Sequence, residues 1–426
     1  MAQIKAFKAL RYTKAAGDIS RLTCPPYDII SEEQRKGYLA ANPHNIIRLE
    51  LPRDGVDFYA TAADTLQSWE QQGILAQDTE EALYVYEIAF AVDGQPNQIK
   101  GLISRVKIEE FSKGVVLPHE ETLSKAKTDR LNLMNATNCN FSQIYSLYLD
   151  DGAQTRTRLE ELTSGTPEIE FSDDDGLIHR LWRICNQAHI AEIASHFAAR
   201  KLFIADGHHR YETALNYRNA QREQGNARPG DACDFVMMMM VDMENPGLHA
   251  FATHRMVRAL PDFDSAEILQ KCAVYFDIVE QPDPETMQDV LDGLFAQNKK
   301  AFGFFAGGSS WQLLTLKADH EQDILLPGKS AASNGLDVTV LHTLVLERLF
   351  GINAQNMANG SNLTYTRELA EALNAVRNGK ANCAFILNPT RVSEIRDVSL
   401  AGEKMPQKST YFYPKLITGL VMNKLV

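Results

Sequence analysis

Blocks of apolar and polar positions alternate along the chain, giving mixed helix and strand signals without repeats or low-complexity tracts. After Pro25-Pro26-Tyr27-Asp28, Ser31 and Gln34 stand at capping-box spacing and predict a short helix that stops at Asn42-Pro43. Residues 45–51 (NIIRLEL) read as a strand. A helix over 58–72 follows, with Ala62, Leu66 and Trp69 on one face and Gly73 past its end. Residues 82–92 and 98–108 predict a hairpin turning at Asp93-Gly94. A polar stretch, 119–130, runs into a helix; 143–149 reads as a strand, and the acidic segment 151–176 as a loop excursion.

Further along, a helix over 189–200, a strand over 201–206 and a helix over 212–223 are expected, then strands over 235–243 and 249–257. Beyond about 260 the pattern shifts to helices near 265–275 and 284–298, a hairpin at Gly307-Gly308, and an amphipathic helix over 336–350. Asn359 to Thr364 reads as a loop, 383–387 as a strand and 405–415 as a polar-aromatic loop. These signals predict an α/β (mixed α+β) fold with a 1–260 region and a 261–426 α/β region packed on it.

Composition narrows the function classes. The 426 residues are 44% hydrophobic and 23% charged, as for an ordinary globular protein. With 43 Lys+Arg against 55 Asp+Glu and no basic run, a net charge of -12 argues against nucleic-acid contact. No apolar stretch approaches the length of a membrane span and no signal-peptide core opens the chain, so a soluble, cytoplasmic protein is expected. Six scattered cysteines without a C-x-x-C pair read as reduced buried thiols.

The chemistry concentrates at Ala205-Asp-Gly-His-His-Arg-Tyr-Glu-Thr213. An apolar strand, a glycine turn and a helix together aim free amides and a helix dipole at an anion. Gly207 permits the turn, and Arg210 offers a planar fork for phosphate, with His208, His209 and Thr213 as further phosphate contacts. Asp206 could ligate a divalent metal or orient a histidine. A purely structural arrangement would have Asp206 cap the helix and Arg210 pair with Glu212 or another carboxylate. Four ionisable side chains in five positions around a glycine favour function over that. A metal site built on His208 and Glu212 ranks lower, since no second partner stands at metal-ligand spacing, and no metal ligand is assigned.

IADGHHRYETAL resembles the signature of a widespread bacterial family of roughly 400-residue proteins known as a domain of unknown function. CPPYDII, LPHEETLSKAKTDRL, THRMV, LDVTVLH and MPQKSTYFYPKLITGLV are similar to its other pieces, from near residue 3 to near 422. The core Asp206-Gly-His-His-Arg210 also resembles the phosphate-holding motif of the ParB/sulfiredoxin superfamily, some of whose members phosphorylate free L-serine. The resemblance implies a ParB/sulfiredoxin-like nucleotide-binding core and an ATP- or ADP-dependent kinase using Mg²⁺, with free L-serine the leading acceptor. It implies phosphate roles for Lys125, Lys127 and Arg130. Asp206, Glu120 and Asp28 are the carboxylates that could serve the acceptor, and His119, Lys408 and Ser409 would face substrate.

Other features have plainer readings. Glu121 and Lys125 stand at i, i+4 as an intrahelical ion pair, and the Met237–Met240 run as core filling. Thr253-His254-Arg255 reads as an outward-facing surface group, with phosphate contact the second possibility. Asp337 and His342 read as an N-cap-region carboxylate and a satisfied core histidine. Two rivals to the kinase remain: a metal-assisted phosphoester hydrolase using the same pocket, and a nucleotide-sensing or DNA-partition-like regulator without catalysis.

Overall fold

The computed structural model describes residues 1–426 except Asp93, Leu123, Gln407 and Val426, and except the side chains of Ala354, Ala358 and Asn359. The expected turn residue Asp93, and Leu123 and Gln407 of the quoted motifs, therefore lie outside the described residues. The fold is mixed α/β, in two compact units. The first comprises residues 1–118, 122–248 and 414–426; the second, 119–121 and 249–413. The boundary anticipated near 260 lies inside the second unit, and the last residues return to the first.

A nine-stranded mixed sheet organises the first unit. Its order is Val116–Leu117, Leu202–Asp206, Ile144–Tyr148, Phe235–Asp242, Gln95–Lys107, Leu83–Val92, Ile178–Ile184 and Ile169–Ser172, with Ile4–Lys5 pairing onto Gln95–Lys107. Phe235–Asp242 is buried at every position, as a strand covered on both faces requires, so the methionine run is core. Helices Ser124–Thr137 and His208–Glu223 pack on each other, and Phe58–Gln71 packs on the first of them. That last helix buries Ala62, Leu66 and Trp69, the face that the periodicity marks. A side chain the size of Leu66 contributes about 1.5–3 kcal/mol on full burial.

The second unit is built on a six-stranded antiparallel sheet, ordered Phe276–Pro282, Ser310–Leu316, Ala301–Phe305, Cys383–Ile386, His254–Val257 and Leu363–Thr366. Met287, Leu291, Trp311, Leu373 and Ile386 belong to its core. The predicted 336–350 helix is an α-turn, Asp337–Val340, running into wider π-type turns over Leu341–Glu347.

Several local expectations change. Residues 45–51 hold the helix Ile47–Glu50 instead of a strand: Asn45 caps the turn by accepting from the Ile47 amide, and Arg48 sits on the carbonyl of Pro43. The 151–176 segment carries a helix, Gln154–Leu162, and a strand, Ile169–Ser172, whose alternating exposure is a sheet-edge pattern hidden by its acidity. The single strand expected over 249–257 is two: His249–Phe251 pairs with Tyr411–Tyr413, and His254–Val257 joins the large sheet. The loops expected over 359–364 and 405–415 thus end in paired strands. All six cysteines are free, five of them buried. Among the described residues no helix is long and apolar enough to cross a membrane.

Candidate functional site

The strand Leu202–Asp206 is buried up to its last residue, and Gly207 follows at φ 94°, ψ 27°, in the left-handed region. A Cβ at Gly207 would stand 2.9 Å from Arg210 Nε, so both its backbone and its closeness to that side chain call for glycine. Gly207 is itself the cap: its carbonyl accepts from the Tyr211 amide at 3.0 Å. The helix consequently begins at His208, earlier than the 212 start read from the sequence, and His208, His209 and Arg210 form its first turn. The N-cap itself, a glycine, offers no side chain to that turn.

The helix is fixed in place by its own polar groups. Tyr211 Oη donates to the Glu109 carbonyl at 2.7 Å and accepts from the Glu109 amide at 2.9 Å. Its ring stacks on Phe111 at 5.2 Å, and Arg218 Nη1 donates to the Ile108 carbonyl at 2.8 Å. Burial pushes the Tyr211 hydroxyl's pKa up, so it remains protonated as a donor.

Two cations converge on Asp206. Arg210 Nη2 lies 3.1 Å from Oδ2 and Lys415 Nζ 3.4 Å from Oδ1, while Arg210 Nη1 donates to the Gln143 carbonyl. Glu212 accepts from Thr122 Oγ1 at 2.8 Å and from Lys127 Nζ at 2.7 Å, which ties part of the 119–130 stretch to the helix. Arg210 thus pairs with a carboxylate other than Glu212, as the structural alternative allowed. His208 is buried and His209 partly so. Thr213 is fully buried, and its hydroxyl has no hydrogen-bond partner among the described residues. Lys125 is exposed; its expected partner Glu121 precedes the helix and pairs instead with Lys404 at 3.5 Å.

Beside these stands a buried carboxylate that the sequence reading missed. Glu50 is 3% exposed and accepts from Ser142 Oγ at 2.9 Å. Burial pushes its pKa up, against the pull of Arg130 and then Arg210; Asp28 also acts on it. Arg130 is buried as well. Its Nη1 donates to the Glu50 carbonyl at 2.6 Å, its Nε to Asp129 at 2.9 Å, and its guanidinium lies 4.1 Å from the Tyr27 ring centroid. Asp28 is exposed on the turn Tyr27–Ile29. The available signal for Glu50 was a carboxylate between Leu49 and Leu51 in a largely apolar run. Lys415 and the Gln143 carbonyl had no comparable signal.

His119, Glu120, Lys408 and Ser409 belong to the second unit and come together there. His119 Nε2 and Thr410 Oγ1 are 3.0 Å apart, and Glu120 accepts from the Lys408 amide at 2.6 Å. Ser409 Oγ donates to the Pro406 carbonyl at 2.5 Å. Arg255, 1% exposed, donates to the Lys408 carbonyl at 3.1 Å and to the Thr253 carbonyl. Burial lowers its pKa to about 10, against the opposing influence of Tyr365 and Glu120. His254 is buried too, and burial, then Arg255, lowers it to about 4. The outward-facing surface group expected here is buried instead, because every residue of His254–Val257 is covered and both faces of the strand are therefore packed. His342 is buried with no hydrogen-bond partner among the described residues, unlike the satisfied histidine expected.

Among the described residues no group of three or more His, Cys, Asp or Glu side chains converges as a self-sufficient metal site would.

Comparison with known proteins adds the following. Three solved structures resemble the chain distantly. A free serine kinase in complex with AMP is 12% identical over 76% of this chain and 91% of that chain, at a TM-score of 0.37. A conserved hypothetical protein from Pyrococcus furiosus is 12% identical over 76% and 95%, at 0.35. SbnI with C-terminal truncation from Staphylococcus aureus is 10% identical over 75% and 86%, at 0.36. No curated protein matches. The model of the family described as "Protein of unknown function (DUF1015)" matches residues 4–339, ending within the LDVTVLH piece and short of the MPQKSTYFYPKLITGLV piece. That span is well over half of the sequence, and the chain belongs to the DUF1015 family.

Proposed function

We propose that this protein is a nucleotide-dependent phosphotransferase acting on a small hydroxylated metabolite, with free L-serine the first acceptor to test. The observation that carries the reading is the start of the His208–Glu223 helix. Its N-cap is a glycine, Gly207, and two cations, Arg210 and Lys415, are gathered there on one carboxylate, Asp206. The positive end of a helix dipole and an excess of positive charge are what a phosphate chain requires.

In this reading an incoming phosphate draws Arg210 and Lys415 toward itself and leaves Asp206 less compensated. Mg²⁺ arriving with ATP or ADP takes most of its ligands from phosphate and water and only one or two from carboxylates. The residues present fit that mode, with Asp206 the carboxylate that would hold the ion. The ion would supply charge neutralisation for the transferred group. Lys127, held by Glu212, adds to the positive potential of the first turn. Asp28 is exposed, and no ion pair of its side chain is found among the described residues, so it is assigned to orient the acceptor hydroxyl. Arg130 is assigned a supporting part, since its fork is filled by Asp129 and the Glu50 backbone.

The test incubates full-length protein with Mg²⁺, ATP or ADP, and a panel of amino acids and hydroxy metabolites, with products followed by mass spectrometry. Acceptor-dependent phosphorylated product, lost in Asp28→Asn, is expected. No product with either nucleotide from folded protein would overturn the reading.

A further inference from the structure

A second basic region lies on the first unit, away from the helix start. The His208–Glu223 helix has 16 residues and is therefore about 24 Å long. Near its C-terminal end Arg218 and Arg222, one turn apart, line a groove of about 400 Å³ together with Lys5, Lys107, Lys113 and Phe235. That volume is in the range of small-molecule sites.

Strand register explains the gathering. Lys5 pairs with Arg105, the Lys107 amide donates to the Gln3 carbonyl at 2.9 Å, and Phe235 pairs with Lys107 on the other side. Side chains two residues apart share a face, so Gln3, Lys5, Lys107 and Phe235 line one side of three adjoining strands.

The charges do not balance. Arg222 is matched by Asp234 at 2.6 Å and Arg218 by Glu110 at 2.6 Å. Lys107 at 3.3 Å and Lys113 at 2.6 Å share a single carboxylate, Glu109. Burial would raise the Glu109 pKa, but Lys113 and Lys107 outweigh it and hold the group below its usual range, so it counts as one negative charge. Lys5 has no carboxylate partner among the described residues; its ammonium rests 4.3 Å from the Phe235 ring centroid, which holds it in place without neutralising it. Two positive charges are left over on the groove wall, in a chain whose net charge is -12.

We infer that this groove is a binding site for a small dianion, a phosphate monoester or a dicarboxylate, seated between Lys5 and the Lys107–Lys113 pair. Two uncompensated ammonium groups match two negative charges, and charge-assisted hydrogen bonds supply the affinity. The site is separate from the phosphate cradle at Gly207 and does not depend on the kinase reading.

The experiment is calorimetric titration of the full-length Arg210→Ala protein, in which the helix-start site is impaired, with glycerol phosphate, succinate and, as a neutral control, glycerol. Saturable binding of one dianion per chain is expected, with glycerol inert. Lys5→Gln and Lys107→Gln, both surface changes checked for folding by circular dichroism, should each weaken it about tenfold. Preference for the phosphate or the dicarboxylate then names the source of the dianion. Failure of both dianions to bind wild-type protein, binding indifferent to both lysine changes, or binding abolished by Arg210→Ala alone would overturn the proposal.

Discussion

Arg210→Ala is expected to lower acceptor phosphorylation by about 10²–10³-fold, the loss typical of removing one well-placed donor to a developing anion. The guanidinium is folded over Gly207, held by the Gln143 carbonyl and Asp206, at the start of a helix whose N-cap is a glycine. Phosphate would replace Asp206 at one edge of the guanidinium while the Gln143 carbonyl holds the other. Arg210→Lys keeps the charge but loses the planar fork, and should fall between wild type and the alanine variant. Steady-state turnover, with folding verified by circular dichroism, makes the comparison. Unchanged turnover in Arg210→Ala would remove this side chain from the mechanism.

Arg130→Ala should act on stability, costing about 3–5 kcal/mol, because it deprives a buried anion of its cation. Glu50 and Arg130 are both nearly inaccessible, their charged groups 3.9 Å apart, and the guanidinium also covers Tyr27. The pH dependence has a definite sign. Without Arg130 the Glu50 carboxyl is raised further above its unfolded value. Its protonated form then supports folding at low pH, and that support is lost as pH rises through the folded pKa. The deficit relative to wild type should therefore be smaller near pH 5 than near pH 8. Urea unfolding at both pH values measures it. A small stability change accompanied by a large loss of nucleotide affinity would make Arg130 a phosphate ligand instead, the role its place in the 119–130 stretch first suggested.

Local pattern carried far along this chain where one principle acted alone. The Ser31–Gln34 capping box is formed, and the Ala62, Leu66, Trp69 face is buried. The Gly307-Gly308 turn joins two paired strands with both glycines at positive φ. Reading failed where tertiary demands override the local signal. Glu50 looks like part of a strand because its neighbours are apolar, and only the surrounding Ser142 and Arg130 explain a carboxylate inside. The sequence places the helix start at Glu212, whereas Gly207 caps five residues upstream and the helix begins at His208. Lys415 reaches Asp206 from far along the chain, an ion pair that no spacing rule contains. His254 and Arg255 look solvent-facing because they are polar, yet their strand is covered on both faces.

The claim that phosphates are held at the start of the His208–Glu223 helix is tested most directly by calorimetric titration with adenosine, AMP, ADP and ATP in the presence of Mg²⁺. Affinity that rises from adenosine to the di- and triphosphate, and is lost in Arg210→Ala, is the predicted result. Adenosine binding as tightly as ADP, or Arg210→Ala binding ADP as wild type does, would contradict it.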